Sequence, residues 1–347
     1  MAKISVSIVG ASGYTGRELI GILSRHPNVK LTHLSSESHS GEPIHQLHKQ
    51  LYGRCNLFCE KLDIKKFAEN SEVIFSALPP SAGVEIINQF FSLGRKVIDL
   101  SADFRLKDKS AYEQWYNFKH SYPALLSKAV YGLPELFREK IKKARIVANP
   151  GCYATAITLG ASPLLTQKWV KKDTFVADAK SGVSGAGKKL SLKYLYSQCN
   201  ENFSAYNVAL HRHTPEIEQT FTENFGCRTK VLFVPHLAPM DRGIFATLYF
   251  DLTKKIETGE ALNLFANFYK NEPFVDVLPE GEFPETRDVR GTNFCAIGVK
   301  ADQRTKKLIV LVCIDNLIKG ASGQAVQNMN LISGFPEKMG LVNNEIT

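Results

Sequence analysis

The chain has no apolar run long enough to cross a bilayer, no charged-then-apolar leader, and no closely spaced even set of cysteines. Each absence removes a class. A membrane span needs about 20 consecutive apolar residues, so a helical membrane protein is excluded. The start, Met1-Ala2-Lys3-Ile4-Ser5-Val6, runs straight into a strand pattern, which gives the expectation of a cytoplasmic protein without a signal or transit segment. Seven cysteines scattered over 347 residues do not make a disulfide framework and point to a reducing compartment. Also missing is a basic stripe interleaved with aromatics. The net charge is +9, yet Lys140, Lys142, Lys143 and Lys171-Lys172 read as solvated helix ends, so no nucleic-acid partner is expected. A modest positive field is better used on anionic small substrates.

Hydrophobic residues make up 44% and charged residues 22%, ordinary for a globular protein, and 347 residues exceed one usual core, so two domains are expected. Residues 3–9 read as a β-branched strand. A glycine run follows, then a helix from Arg17 to about Arg25, the turn Pro27-Asn28, and a second strand over Val29–Leu34. This is a βαβ opening. Strand-like runs recur at Val73–Ala77, Lys96–Leu100 and Ile146–Ala148, separated by helical stretches, which implies an α/β fold with a parallel sheet covered on both faces. The texture changes after Pro150-Gly151. A helix over Cys152–Leu165, a strand over Thr174–Ala179 and a glycine-rich loop over Ser181–Gly187 precede longer runs of antiparallel character at Lys230–Val234, Gly243–Phe250, Cys295–Lys300 and Lys307–Ile314. The expected layout is a Rossmann-type dinucleotide-binding domain over 1–148, completed by a C-terminal helix at 318–347, and an α+β catalytic and dimerisation domain over 149–317.

Gly10-Ala11-Ser12-Gly13-Tyr14-Thr15-Gly16 carries the spacing G-x-x-G-x-x-G, one residue longer between its first glycines than the usual dinucleotide fingerprint. Glycines also make purely structural turns. Between a strand and a helix at the first βα turn, however, they let backbone approach a pyrophosphate seated on the helix N-terminus. A ribose 2′-hydroxyl is usually gripped by an acidic residue at the end of the second strand. That strand ends instead in Ser35-Ser36, with Glu37 one step beyond, so a 2′-phosphate meets no repulsion and NADP(H) is favoured over NAD.

Cys152, in Asn149-Pro150-Gly151-Cys152-Tyr153, is the candidate nucleophile. Pro150 suits a first helical turn and places the thiol near a helix N-terminus, where positive partial charge favours the thiolate. Most lone cysteines are buried packing residues, and Cys199, Cys227, Cys295 and Cys313 fit that ordinary role. In His211-Arg212-His213-Thr214-Pro215-Glu216, Thr214 and Pro215 suit an N-cap and first helical position. His213 then stands outside a helix start as a neutral base, with Glu216 in reach to orient it; exposed capping histidines are the plainer alternative. The run leaves open which of His211 and His213 is the acid/base. Gly182-Val183-Ser184-Gly185-Ala186-Gly187-Lys188 imitates a phosphate loop, but position 189 is Lys where Mg²⁺ needs Ser or Thr, so it reads as a loop beside a nicotinamide or substrate. His45, His48, Cys55 and Cys59 match no common zinc spacing, and no metal is expected.

Together these segments resemble the N-acetyl-γ-glutamyl-phosphate reductase family of arginine biosynthesis. Further runs carry the likeness: Ser101-Ala102-Asp103-Phe104-Arg105, Tyr131-Gly132-Leu133-Pro134-Glu135, Val234 to Met240, and Asp315-Asn316-Leu317 through Ala325. The resemblance implies a glyceraldehyde-3-phosphate-dehydrogenase-like architecture, a homotetramer, and reduction of an acyl phosphate by NADPH through a cysteine thioester. It implies that Cys152 is the nucleophile, His213 the acid/base with His211 beside it, and Arg105 the holder of the acyl phosphate near Asn149. Ser184 and Gly185 line the cofactor loop, and Asn316 contacts the nicotinamide side. Rival readings are a sister reductase of N-acyl-α-aminoadipyl phosphate in lysine synthesis and a non-catalytic NADP-binding regulator. An aspartate-semialdehyde dehydrogenase fits the cysteine segment and the His-Arg-His run poorly.

Overall fold

Ile4–Val9 forms strand β1, and its last four residues are buried on both faces, as expected where helices cover a parallel sheet from either side. In the computed structural model of the chain, residues 3–188 and 190–342 are described. Lys189, which occupies the magnesium position of the phosphate-loop reading, lies outside the described residues, as do Met1, Ala2 and residues 343–347 of the expected C-terminal helix. The chain divides into two compact units, Met1–Pro150 with Ala321–Thr347, and Gly151–Gly320.

In the first unit β1 is joined by β2 (Val29–Ser35), β3 (Cys59–Glu60), β4 (Val73–Ser76), β5 (Lys96–Asp99), β6 (Ala129–Tyr131) and β7 (Ile146–Ala148). The order is β3-β2-β1-β4-β5-β7-β6, with every pairing parallel. The order reverses between β1 and β4, which opens a crevice at the strands' carboxyl ends. The first helix, Tyr14–Leu23, begins before the expected Arg17 because Gly13 already supplies its extended cap. One side of the sheet packs Ile74, Ile87, Phe90, Val97, Phe104 and Tyr112 into a core.

The C-terminal helix is shorter than expected. A wide helical turn at Ile318–Ser322 leads into Gly323–Ile332, and Gly334, at φ +73°, ends the helix well before 347. All ten residues of Gly323–Ile332 are buried although several are polar. The Asn328 amide donates to Gly132 O and Asn149 Oδ1, and the Asn330 amide to Glu337 O and Met339 O, so these buried groups are satisfied.

His26 is tied to the same helix. Its Nε2 pairs with Asn330 Oδ1 at 3.0 Å while Nδ1 accepts the Asn28 N–H, which fixes a neutral ring. Burial lowers its pKa from the ordinary 6.5, outweighing the hydrogen bonds to Asn330 and Met339. Burial lowers His120 as well. A histidine held neutral in the fold stabilises it fully above its unfolded pKa and loses that contribution as pH falls. The thermal midpoint of the first unit should therefore drop as pH falls below the ordinary histidine value of 6.5. A flat profile below that value would contradict this assignment.

The second unit is a mixed sheet of β8 (Thr174–Ser181), β9 (Ser204–Ala205), β10 (Lys230–Leu237), β11 (Ile244–Asp251), β12 (Val275–Val277), β13 (Cys295–Asp302) and β14 (Lys307–Ile314), in the order β12-β13-β14-β11-β8-β10-β9. The antiparallel expectation holds for β8, β11, β14 and β13 in succession, but β8 and β10 pair in parallel. The segment between β8 and β10 contains the helix Thr214–Phe225, and a crossover of that length returns a strand in the same direction. The helix Cys152–Leu165 is buried at every position after the first. No described helix is long and apolar enough to cross a membrane.

Candidate active site

The crevice side of the first unit is assembled from strand ends. Gly10 follows β1 at φ +87°, and a Cβ there would fall 2.6 Å from Ala77 O just past β4, so only glycine lets the backbone enter at this point. Gly13 caps the helix that Tyr14 begins, and Thr15 O accepts the Ser322 hydroxyl at 2.9 Å. Ser12 and the buried Gly16 complete the turn. At the end of β2, Ser35 Oγ accepts the Gly10 N–H at 3.2 Å and Ser35 O accepts the Ala11 N–H. The Ser36 hydroxyl is buried and meets no hydrogen-bond partner among the described residues. Glu37 is engaged elsewhere, its Oε1 accepting the Leu62 N–H at 3.3 Å.

Arg105 and Asn149 belong to the same unit. The Arg105 guanidinium donates to Asn149 O at 2.8 Å and Leu100 O at 3.1 Å. It thus holds the backbone just before the cysteine run. The Asn149 side chain donates to Ala321 O and accepts from Asn328. Behind Arg105 lie two carboxyls that the sequence reading did not single out. Burial, helped by the neighbouring charge of Asp103, pushes the Asp99 carboxyl up to about 7, and burial raises Asp103 too.

In the second unit Gly151 is the extended N-cap of the Cys152 helix, and Cys152 is the first helical residue. Pro150 therefore precedes the cap and is not inside the first turn, as the sequence suggested. His213 is itself the N-cap of the helix Thr214–Phe225, with Thr214 in its first turn. This corrects the expectation that Thr214 would cap. The two helix starts meet: a Cβ on Gly151 would lie 2.3 Å from His213 Nε2, so the imidazole rests on the residue next to the thiol. Glu216, fully buried, accepts the Gly151 N–H through Oε1 at 2.8 Å. One carboxylate thus sits where two helix N-termini converge, and its charge compensates both.

His211 sits behind His213. Its Nδ1 accepts the His213 N–H at 3.1 Å, and its ring packs against Tyr153, Tyr206 and Phe233 with centroids 5.1–5.7 Å apart. Burial, with the charges of His213 and Arg212, drives its pKa down to about 2. The Tyr206 hydroxyl donates to the Tyr153 hydroxyl, which donates to His236 O. Tyr206 had no local signal in the sequence; only the strand register brings it here.

Ser184, Gly185 and Asn316 form a further cluster in the second unit. Asn316 Nδ2 donates to Ser184 Oγ at 3.1 Å, Asn316 Oδ1 accepts the Gly243 N–H, and a Cβ on Gly185 would lie 3.6 Å from Asn316 Nδ2. The loop after β8 makes only a single 3₁₀ turn, Val183–Ala186, and no α-helix follows it directly, unlike a phosphate loop. No described group of His, Cys, Asp or Glu could hold a metal. His48 Nε2 pairs with Ala11 O, and Cys55 and Cys59 are buried in packing.

Comparison with known proteins finds two family models: semialdehyde dehydrogenase, NAD binding domain, over residues 5–144, and semialdehyde dehydrogenase, dimerisation domain, over residues 152–316. N-acetyl-gamma-glutamyl-phosphate reductase of Desulforamulus reducens is 51% identical, over 97% of this chain and 98% of that one. The protein of the same name from Geobacter sulfurreducens is also 51% identical, over 97% and 98%. Among solved structures, aspartate semialdehyde dehydrogenase II of Vibrio cholerae, complexed with ASA, superposes with a TM-score of 0.73 at 17% identity over 96% of this chain and 99% of that one. Aspartate semialdehyde dehydrogenase with NADP from Candida albicans gives 0.72 at 15% identity over 96% and 99%. At such identities these structures bear on fold alone.

Proposed function

The chain belongs to the N-acetyl-γ-glutamyl-phosphate reductase family, and from that premise we propose that it reduces N-acetyl-γ-glutamyl phosphate to N-acetylglutamate 5-semialdehyde and phosphate, using NADPH, in arginine biosynthesis. The observation that carries this reading is Cys152 at the first position of a buried helix with the His213 imidazole resting on its N-cap. The helix end favours the thiolate, which attacks the acyl-phosphate carbonyl. The carbon–sulfur bond forms, phosphate leaves with the electrons of the carbon–oxygen bond, and a thioester remains on Cys152. Bound NADPH supplies the hydride that takes this acyl group to the aldehyde level. His213 then manages the proton as the thiohemiacetal on Cys152 collapses to aldehyde and thiolate. His211, with its pKa near 2, is too weak a base for that task and serves as the anchor of the His213 backbone. Glu216 holds Gly151, and Arg105 and Asn149 are assigned to the acyl phosphate.

The first unit suits the cofactor. The Gly10 turn leaves room for backbone against a pyrophosphate, the Ser36 hydroxyl has unused hydrogen-bonding capacity, and Glu37 is turned to Leu62. Ser184, Gly185 and Asn316 are assigned to the nicotinamide side. Residues 1–148 with the C-terminal segment form the dinucleotide-binding domain in this reading, and 149–317 the catalytic and dimerisation domain of a cytoplasmic homotetramer. Ser36→Asp should weaken NADPH binding by about tenfold or more, because a carboxylate near a phosphate costs upward of about 1 kcal/mol. NADH should be affected less, and equal losses for both cofactors, measured by fluorescence titration, would remove Ser36 from the 2′-phosphate site.

The decisive assay runs the reaction backwards. NADP⁺ reduction with N-acetylglutamate 5-semialdehyde should require inorganic phosphate and should exceed that with the N-acyl-α-aminoadipate semialdehyde. Preference for the longer semialdehyde would move the chain to the lysine branch. Cofactor binding with no reduction of either would leave a regulator.

A further inference from the structure

Next to Asn316 in the second unit stands a fully buried carboxylate, Asp315, that the reaction scheme does not use. Its Oδ1 accepts the Leu317 and Ile318 N–H groups at 2.8 and 3.2 Å, and its backbone O accepts the Gly320 N–H at 2.9 Å. Its Oδ2 accepts the Gly291 N–H at 2.7 Å and lies 3.3 Å from the Arg242 guanidinium Nε. The Asp315 side chain thus holds the 317–318 part of the turn 315–320, and the backbone carbonyl of the same residue holds Gly320. That turn ends on the nucleophile: a Cβ on Gly320 would lie 2.6 Å from Cys152 Cβ. Arg242 extends the tie sideways, since its own segment bonds the loop after β8, with Gly182 N donating to Gly243 O and Ser184 N to Asp241 O.

We propose that Asp315, charge-paired with Arg242, is a positioning residue for Cys152, holding the 315–320 turn so that Gly320 wedges the thiol at the helix start. The inference rests on the assignment of Cys152 as nucleophile made above. Without the wedge the cysteine Cβ gains room, and the sulfur spends time turned from the helix end and from His213. A small misplacement of a reacting atom is enough to cost about tenfold to a hundredfold in rate. Asp315 itself touches no reacting atom in this scheme.

The test compares Asp315→Asn, a near-isosteric change, with wild type in the full chain. Three quantities are read: kcat, the KM values for NADPH and acyl phosphate, and the iodoacetamide alkylation rates of Cys152, Cys199 and Cys227 by mass spectrometry. We expect kcat and Cys152 alkylation to fall by about tenfold or more, with both KM values and the other two cysteines within about twofold. Unchanged kcat and Cys152 alkylation would overturn the proposal. So would all three cysteines shifting together, which marks general loosening. If Asp315→Asn does not fold, Arg242→Met against Arg242→Lys makes the same comparison, because removing the cation strands the buried carboxylate whereas lysine keeps the charge. Loss with methionine and recovery with lysine supports the pair; equal behaviour of the two refutes it. If wild type reduced no acyl phosphate, the functional reading would fall on that result alone, while the alkylation rates would still decide the role of Asp315.

Discussion

Replacing Cys152 with serine is expected to lower kcat by a factor on the order of 10³ or more while leaving NADPH affinity within about twofold. The size follows from the chemistry of the position. A helix N-terminus can favour a thiolate because a thiol ionises within a few pH units of neutrality, whereas a serine hydroxyl in the same field stays protonated. Even an acylated serine would be a poorer intermediate, since an oxygen ester accepts hydride less readily than a thioester and an alkoxide leaves less readily than a thiolate. The substitution removes little volume, and the helix behind position 152 is buried along its whole length, so the scaffold should persist. Steady-state kinetics and mass spectrometry of the acyl adduct check this. Retention of more than about a tenth of wild-type turnover would sink the nucleophile assignment.

Much of this arrangement was legible in the chain because it is local. The βαβ opening shows in the alternation of β-branched runs with Gly10–Gly16, and the start of the Cys152 helix shows in Pro150-Gly151. What was not legible depends on register and on crossovers. The parallel pairing of β8 with β10 follows from a long connection whose helix gives no sign of how its flanking strands pair. Tyr206 reaches Tyr153 across 53 positions of sequence. The cap of the second helix was misplaced by one residue because Thr214, a residue suited to capping, stands beside the true cap His213, and Pro150, read as part of a first turn, stands just before the cap Gly151. The close approach explains Gly151, since the ring of His213 occupies the space a side chain would need. Asp315 was in view as part of a quoted run, but its work is done through backbone N–H groups, which no sequence pattern displays.

The same physics separates the two histidines. His213→Asn should lower kcat by about 10²–10⁴, the span of a positioned general acid/base, with little change in cofactor KM. Asparagine keeps the polarity and much of the shape of the ring against Gly151 but cannot carry a proton between thiohemiacetal and solvent. His211→Asn should behave differently. That ring accepts the His213 N–H and lies among Tyr153, Tyr206 and Phe233, and burial holds it neutral with a pKa near 2. Burial among these rings disfavours the charged imidazolium, which argues against His211 as the proton carrier. Its loss should instead loosen the His213 cap and cost a smaller factor, on the order of ten, together with some thermal stability. The pair of variants, compared by kcat, KM and thermal midpoint, decides the matter. If His211→Asn proves the more damaging to turnover while leaving the thermal midpoint unchanged, the proton path must be redrawn through the aromatic cluster around Tyr153.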